Sequence, residues 1–532
     1  MAGDGAQDLP GVPDPAEAAA LPEMPEMPDG AAAGEDDGRD ALYRTFRASS
    51  LFGLASAMGT LVGLIRSKAF AIFLGTGGVG LAGLYFSLMQ VASVLAGLGL
   101  NISVVRELSK AGLDRAGQAR VRRAAVALAL GLGGLCALGV WLLRGPIAAE
   151  VVGDPSRAAE VGWLALGAGA MVAAAVVGGI LQGLRATRAY AVFTALAALP
   201  GTLAAILLAA LWGAEGVFVI VLCVPVLTAA AGFALLRRIP AGPPAGAVVL
   251  ARPAAQMLGL GAVLMLSVIL QQAAMLYMRS HVTVQSGLHT AGLFHSAWLI
   301  SAVSMGLALQ ALGADFFPRL TRIIEDHGAA VAAMNQALLV ALIIATPMVI
   351  GGIGGAWLAL TLFFSADFTP AAPLLVLFSF GNLFRIMSVT LAYAVLSRGR
   401  RFQYLGLELL WAAVFLAVTL ILYGRFGLTA VGLGYLAAYA ARFTATFTIA
   451  RRVIGFSLAP RTRLAALMGF ALSLVTALAT LEGDWAGLMV GIAAALVSLG
   501  WGLRVLSGVL PDEGRLAGLL RRLGLRRRPG PG

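Results

Sequence analysis

Residues 158–182 read AAEVGWLALGAGAMVAAAVVGGILQ, with one charged residue, Glu160, near the leading edge. As a helix this stretch rises roughly 37 Å at 1.5 Å per residue, enough to cross a hydrocarbon layer of about 30 Å. A helix on a soluble domain carries a polar stripe on its outer face, and this one has none. Comparable runs recur along the chain. At about 20 apolar residues per crossing they predict fourteen spans. These lie near 48–74, 79–103, 122–143, 158–182, 189–212, 215–236, 256–280, 288–312, 331–355, 372–396, 404–423, 428–450, 464–481 and 486–508. The connectors are too short for an inserted soluble domain.

Composition supports the same class. Of 532 residues, 12% are charged and 59% hydrophobic, and the mean hydropathy is +0.89. Soluble chains carry about 25% charge. The net charge of +12 does not signal nucleic acid here, because its distribution follows the spans. With a cytoplasmic N-terminus, 30 of the 38 basic residues fall in cytoplasmic segments and three (Arg144, Arg157, Arg425) in external connectors, as the positive-inside rule requires. Both termini are therefore expected inside. Residues 1–40 hold 11 of the 26 acids and no apolar run, and are expected to be disordered. That acidic, Pro-rich start does not resemble a cleavable signal peptide. Cys136 and Cys223 lie in apolar runs with no CxxC, so they read as small hydrophobic side chains.

A weak internal repeat spaces the halves. Arg106 and Arg319 each close a span. The turn Gly183-Leu-Arg185 recurs as Ser397-Arg-Gly399, and Gly213-Ala-Glu-Gly216 as Gly424-Arg-Phe-Gly427. Offsets of 211–213 residues with six spans per half imply two six-helix bundles of the same orientation, related by an axis along the membrane normal. The expected organisation is a disordered extension (1–40), an N-terminal bundle (41–238), a cytoplasmic linker (239–255) and a C-terminal bundle (256–455). Two additional helices (456–510) and a basic tail (511–532) follow.

Several segments are similar to a known family. Arg66-Ser-Lys-Ala-Phe-Ala-Ile-Phe-Leu-Gly-Thr-Gly-Gly-Val-Gly80, followed by Leu98-Gly-Leu-Asn-Ile-Ser-Val-Val-Arg106, resembles the first two helices of bacterial oligosaccharide flippases. Ala291-Gly-Leu-Phe-His-Ser-Ala-Trp298 through Phe316-Phe-Pro-Arg-Leu320 resembles their eighth helix. These proteins form the O-antigen and polysaccharide translocase branch of the multidrug/oligosaccharidyl-lipid/polysaccharide (MOP) exporter superfamily. The resemblance covers residues 45–455. It implies an all-α polytopic membrane protein of the inner membrane. Such a protein moves a polyprenyl-pyrophosphate-linked oligosaccharide to the outer leaflet by alternating access, for lipopolysaccharide or other surface polysaccharide. Lys68 matches a lysine of that branch, Arg66 an arginine of the related lipid II flippases, and Arg279 an arginine of the oligosaccharide branch. The implied partners are the lipid-linked glycan, membrane lipid and polysaccharide polymerase or assembly proteins, with no nucleic acid.

The residues themselves agree with an anionic cargo. Intramembrane charges are costly, about 2.5–3.5 kcal/mol on insertion scales, and face cavities or partners. Arg66, Lys68, Arg279, Arg385 and Arg442 fall within spans, against Glu408 as the one acid clearly inside and none in the first six spans. Arginine suits phosphate oxygens. Arg66 and Lys68, two apart on a helix, cannot share a face, and which one faces the cavity is left open. Gln272 shares a face with Arg279, and Asn382 with Arg385. Gln90, Asn101 and Gln310 are candidates for sugar hydroxyls, or bridge helices at about 0.6 kcal/mol each. Pro200, Pro225 and Pro347 permit kinks. His281, His289 and His295 read as hydrated loop residues around the connector before span eight, and no metal or cofactor is expected. Neither lysine follows a glycine, so there is no P-loop. Energy must come from ion gradients, membrane potential or mass action. Sparse external acids argue against an enzyme. A drug or small-molecule exporter and a lipid II flippase are the alternatives.

Overall fold

Lipid offers peptide groups no water, so a crossing segment must satisfy its hydrogen bonds within itself. The computed structural model describes residues 35–110, 115–239, 257 and 262–507, and among them contains helices and turns but no strand. The acidic extension through residue 34, most of the linker and the basic tail from residue 508 lie outside the described residues. The chain divides into residues 1–53, helical from Glu35, and residues 54–532.

The helices of the second unit are α1 from Leu54 (Glu35–Gly97 in full), α2 (Leu100–Leu108), α3 (Arg115–Leu142), α4 (Ala158–Gly183), α5 (Thr187–Trp212) and α6 (Val217–Arg237), then α7 (Ala262–Ile323), α8 (His327–Gly354) and α9 (Ala356–Phe363). α10 (Ala372–Ser397), α11 (Arg401–Phe426), α12 (Thr429–Ile454), α13 (Pro460–Glu482) and α14 (Asp484–Ser507) complete it. Among the described residues nine stretches are long and apolar enough to cross a membrane, and the protein is a multi-pass membrane protein. Two of the nine contain a break: the stretch Gly59–Gly97 at Gly75, and the stretch Arg188–Arg237 at the 3-10 turn Gly213–Gly216. Pro200, Pro225 and Pro347 all sit inside helices.

The repeat is legible in the backbone. α3 and α8 are both 28 residues long, and α4, α5, α10 and α11 are each 26. The pair α4–α5 therefore recurs as α10–α11, shifted by 214 residues. The turns match as well, Arg185 (φ 54°) with Gly399 (φ 68°). Gly213 (φ 55°, ψ −145°) ends α5 as Gly427 (φ 52°, ψ −131°) ends α11. The geometric counterpart of Gly213 is thus Gly427 and not Gly424. Packing repeats too: α3 on α4, α5 on α6 and α4 on α6 correspond to α8 on α10, α11 on α12 and α10 on α12.

The long helices α1 and α7 each break at one glycine, Gly75 (φ 66°, ψ −174°) and Gly287 (φ 80°, ψ 170°). That combination is open to glycine and closed to side-chain-bearing residues. Just beyond the breaks the two helices cross at their backbones. A Cβ on Gly80 would collide with the Leu288 carbonyl oxygen, and one on Gly292 with that of Thr76. The two contacts exchange under a shift of 212 residues, so a pseudo-two-fold axis runs between them.

α13 and α14 pack on α8, where a Cβ on Gly354 would meet the Gly487 carbonyl at 2.5 Å. Asn335 on α8 holds the connector into them. Its amide donates to Ser457 O (2.9 Å) and its carbonyl accepts from Ala459 N (2.8 Å). Asn335→Ala leaves Ala459 N–H without that acceptor, a loss of about 1–2 kcal/mol. Trypsin is expected to cut at Arg461 roughly tenfold faster, read by limited proteolysis of the purified protein.

Candidate functional site

The crossing places two arginines around one imidazole. Arg66 on α1 and His295 on α7 line a cavity of about 110 Å³ with Ser67, Phe70, Ile220 and Phe364. Arg279 stands behind His295, on the part of α7 that precedes the break. Its Nη1 donates to Gly83 O (3.2 Å) and lies 2.7 Å from His295 Nδ1. The guanidinium carbon sits 5.5 Å from the Phe294 ring centre. Its Nε is buried and has no hydrogen-bond partner among the described residues. Gly83 permits this arrangement, since a Cβ there would meet His295 Cγ at 2.7 Å and Arg279 Nη1 at 3.0 Å.

Lys68 points elsewhere, its Nζ donating to Thr361 O (2.7 Å) on α9. Arg66 and not Lys68 therefore faces the cavity. The division follows from helix geometry, because two positions turn a side chain by about 200°.

Arg385 belongs to a second polar group. Its Nη1 donates to Tyr435 Oη (3.4 Å), and its guanidinium lies 5.7 Å from the Tyr439 ring centre. Tyr435 Oη donates to Asn382 Oδ1 (2.8 Å), and Asn382 Nδ2 donates to Ser301 Oγ (2.9 Å). Ser301 is on α7, and a second residue of α7, Gln271, donates from Nε2 to Tyr439 Oη (3.4 Å). The contact is made by Gln271 and not by Gln272, which the sequence places on one face with Arg279. Eight residues separate Gln271 from Arg279, about 12 Å along α7. The cations thus occupy two depths.

Arg442 is committed to a partner, its Nη2 donating to Glu408 Oε1 (2.6 Å) with both side chains buried. Gln90 is half-buried. Asn101 is exposed and lines a separate groove with Met171 and Met265. The Gln310 side chain lies outside the described residues.

Two sequence readings need correction. Glu160 lies inside α4, so the first six spans are not free of acid. It accepts from Tyr85 Oη (2.5 Å) and pairs with Arg157 (3.1 Å), which neutralises it near the membrane edge. His295 is not a hydrated loop residue, because the connector shrinks to the break at Gly287 and His295 falls two turns into the following helix segment. The missed signal was its position three residues after Gly292, on the same face of the helix. His289 does sit at the connector, 2.6 Å from Thr76 Oγ1. His281 packs edge-on against Tyr423. Among the described residues no cluster of three histidine, cysteine or acidic side chains could hold a metal.

What remains around the crossing is cationic. Among the described residues, Arg66, Lys68, Arg279 and Arg385 have no carboxylate within ion-pair distance. The sequence profile of the family described as polysaccharide biosynthesis protein matches residues 47–324, more than half of the chain. The chain belongs to this family. No curated protein matches it in sequence. In structure this polysaccharide biosynthesis protein is similar to lipid II flippase MurJ in an inward closed conformation (TM-score 0.66, 13% identity, 86% of this chain and 99% of the other). It is also similar to a multidrug resistance MATE family transporter of the MOP superfamily in an inward-facing conformation (TM-score 0.59, 19%, 75% and 94%). A third similar structure is the MATE multidrug transporter DinF-BH (TM-score 0.55, 17%, 77% and 96%). The fold is that of MOP transporters.

Proposed function

We propose that this protein is a flippase that carries a polyprenyl-pyrophosphate-linked oligosaccharide from the cytoplasmic to the outer leaflet of the plasma membrane. The reading carries fourteen spans, both termini cytoplasmic, and bundles at 41–238 and 256–455 rocking about the cavity between them. The observation that carries it is the cavity at the crossing, with Arg66 on its wall, Arg279 behind and no carboxylate beside either. A pyrophosphate offers the oxygens that guanidinium groups bind best, whereas a cationic drug would be repelled. The family match to polysaccharide biosynthesis supports a glycan cargo. The matching polymerase or assembly proteins are its partners in this reading. Arg385 on α10, at the depth of Gln271, receives the headgroup on its way.

The test is translocation in sealed proteoliposomes, with a labelled polyprenyl-pyrophosphate oligosaccharide and the protein beside its Arg279→Ala and Arg385→Ala variants. A charged hydrogen bond lost in the bound state is worth about 1.5–3 kcal/mol, so Arg385→Ala is expected to be at least roughly tenfold slower, and Arg279→Ala to be slowed as well because the cavity loses the charge behind His295. Variants as fast as the parent would remove the cationic pathway from the mechanism. Absence of movement by folded protein, with uptake of a cationic dye, would replace the flippase by an exporter.

A further inference from the structure

The sequence reading set His295 aside as a loop residue, yet its geometry in the cavity wall defines its chemistry. Every nitrogen of a guanidinium carries hydrogen and none accepts. Arg279 Nη1 lies 2.7 Å from His295 Nδ1, so Nδ1 must supply a lone pair. With the ring turned over, a C–H would face the guanidinium. A second ring proton would point directly at Arg279. The imidazole is thereby held neutral with its proton on Nε2.

The two edges of the ring have different surroundings. The Nδ1–Cγ edge packs against Gly83 of α1, so closely that no Cβ fits there. The opposite edge bears Nε2–H, and His295 lines the cavity with Arg66 and Ser67. The Ser67 hydroxyl already donates to Gly63 O (3.0 Å). The polar donors left to the cavity wall are Arg66 and His295. Its volume of about 110 Å³ is several times what one water needs, which is room for a phosphoryl group.

We propose that His295 is a phosphate-binding residue, donating from Nε2 to an oxygen of the anion that Arg66 draws into the cavity. Arg279 acts through it as a positioning residue that fixes the tautomer. This rests on the headgroup reading of the cavity. A neutral donor beside one arginine grips a phosphate without adding a second full charge, which lets the anion leave again.

The full-length protein in detergent is titrated with inorganic pyrophosphate by calorimetry. In place of His295, a glutamine carries its amide near the Nε2 position and an asparagine near Nδ1. His295→Gln is expected to bind within about threefold of the parent. His295→Asn, which keeps an acceptor for Arg279, is expected to lose tenfold or more with an unchanged unfolding temperature. The chain has four histidines, so 15N-histidine labelling follows the imidazole in the unsubstituted protein. Its spectrum should show the Nε2–H tautomer at His295, with that signal shifting on addition of pyrophosphate. Full binding by His295→Asn, an Nδ1–H tautomer, an unmoved signal or no pyrophosphate binding would each overturn the proposal. Translocation assays separate the two readings. Flipping that survives His295→Asn keeps the flippase and removes His295. His295-dependent pyrophosphate binding without any flipping keeps the site and removes the flippase.

Discussion

Gly292→Ala is expected to open the crossing between the halves and slow translocation, while Gly306→Ala on the same helix does neither. In lipid, helices associate through close van der Waals packing, and small residues allow their backbones to approach. At this crossing the approach is at its limit, because the new methyl group would overlap the Thr76 carbonyl oxygen, a backbone atom with no rotamer to escape into. At Gly306 a Cβ meets nothing within 4 Å. Overpacking costs about 1–3 kcal/mol, which shifts a closed-to-open ratio by roughly 5- to 150-fold. Thr76 and His289 report the crossing directly, since Oγ1 and Nδ1 are 2.6 Å apart. With Cys136 and Cys223 replaced by alanine, the pair Thr76→Cys and His289→Cys should form a disulfide readily. Adding Gly292→Ala should reduce the yield by at least about fivefold, and the pseudo-symmetric Gly80→Ala should do the same. In the proposed orientation this crossing closes the outer face, so both variants favour the outward-open state. Undiminished cross-linking in Gly292→Ala would show that the crossing yields.

The spans were readable because an apolar run is a local signal, and lipid leaves the backbone little choice but helix. Residues 158–182, read as one span, became α4 (Ala158–Gly183). The repeat was readable at its turns, where Gly183 and Ser397 recur, but the sequence aligned Gly213 with Gly424 while the backbone aligns it with Gly427. Three residues of slippage leave glycine facing glycine, so only dihedral angles tell the alignments apart. The site was half legible. Its cations stand out against apolar helices. Their partners depend on how each helix is rotated about its axis, where one residue is 100°. That rotation separates Gln271, which reaches Tyr439, from Gln272, and sends Lys68 to Thr361 while Arg66 lines the cavity. His295 was hidden for a different reason. A connector expected to be several residues long is a single glycine break, which carries the histidine into the packed interior.

The charge that the sequence could not apportion is Arg442, and the structure makes a large effect there testable. Arg442 on α12 and Glu408 on α11 are 2.6 Å apart, with side-chain exposures of 4% and 9%. Arg442 Nε is buried with no partner among the described residues, so the guanidinium depends on Glu408 for compensation. Removing one member of a buried pair costs about 3–5 kcal/mol, because the other charge is left unpaired, whereas an apolar replacement of both is close to neutral. Glu408→Leu and Arg442→Met are each expected to lower the unfolding temperature in detergent sharply, and the double variant to recover most of it. The recovered double variant then decides the role of the pair. Retained translocation makes it a clasp between α11 and α12, with the headgroup left to Arg66 and Arg385 and Arg279 behind the cavity wall. A stable double variant that no longer translocates would place the pair in the transport cycle, as a carboxylate that releases its arginine when the bundles move.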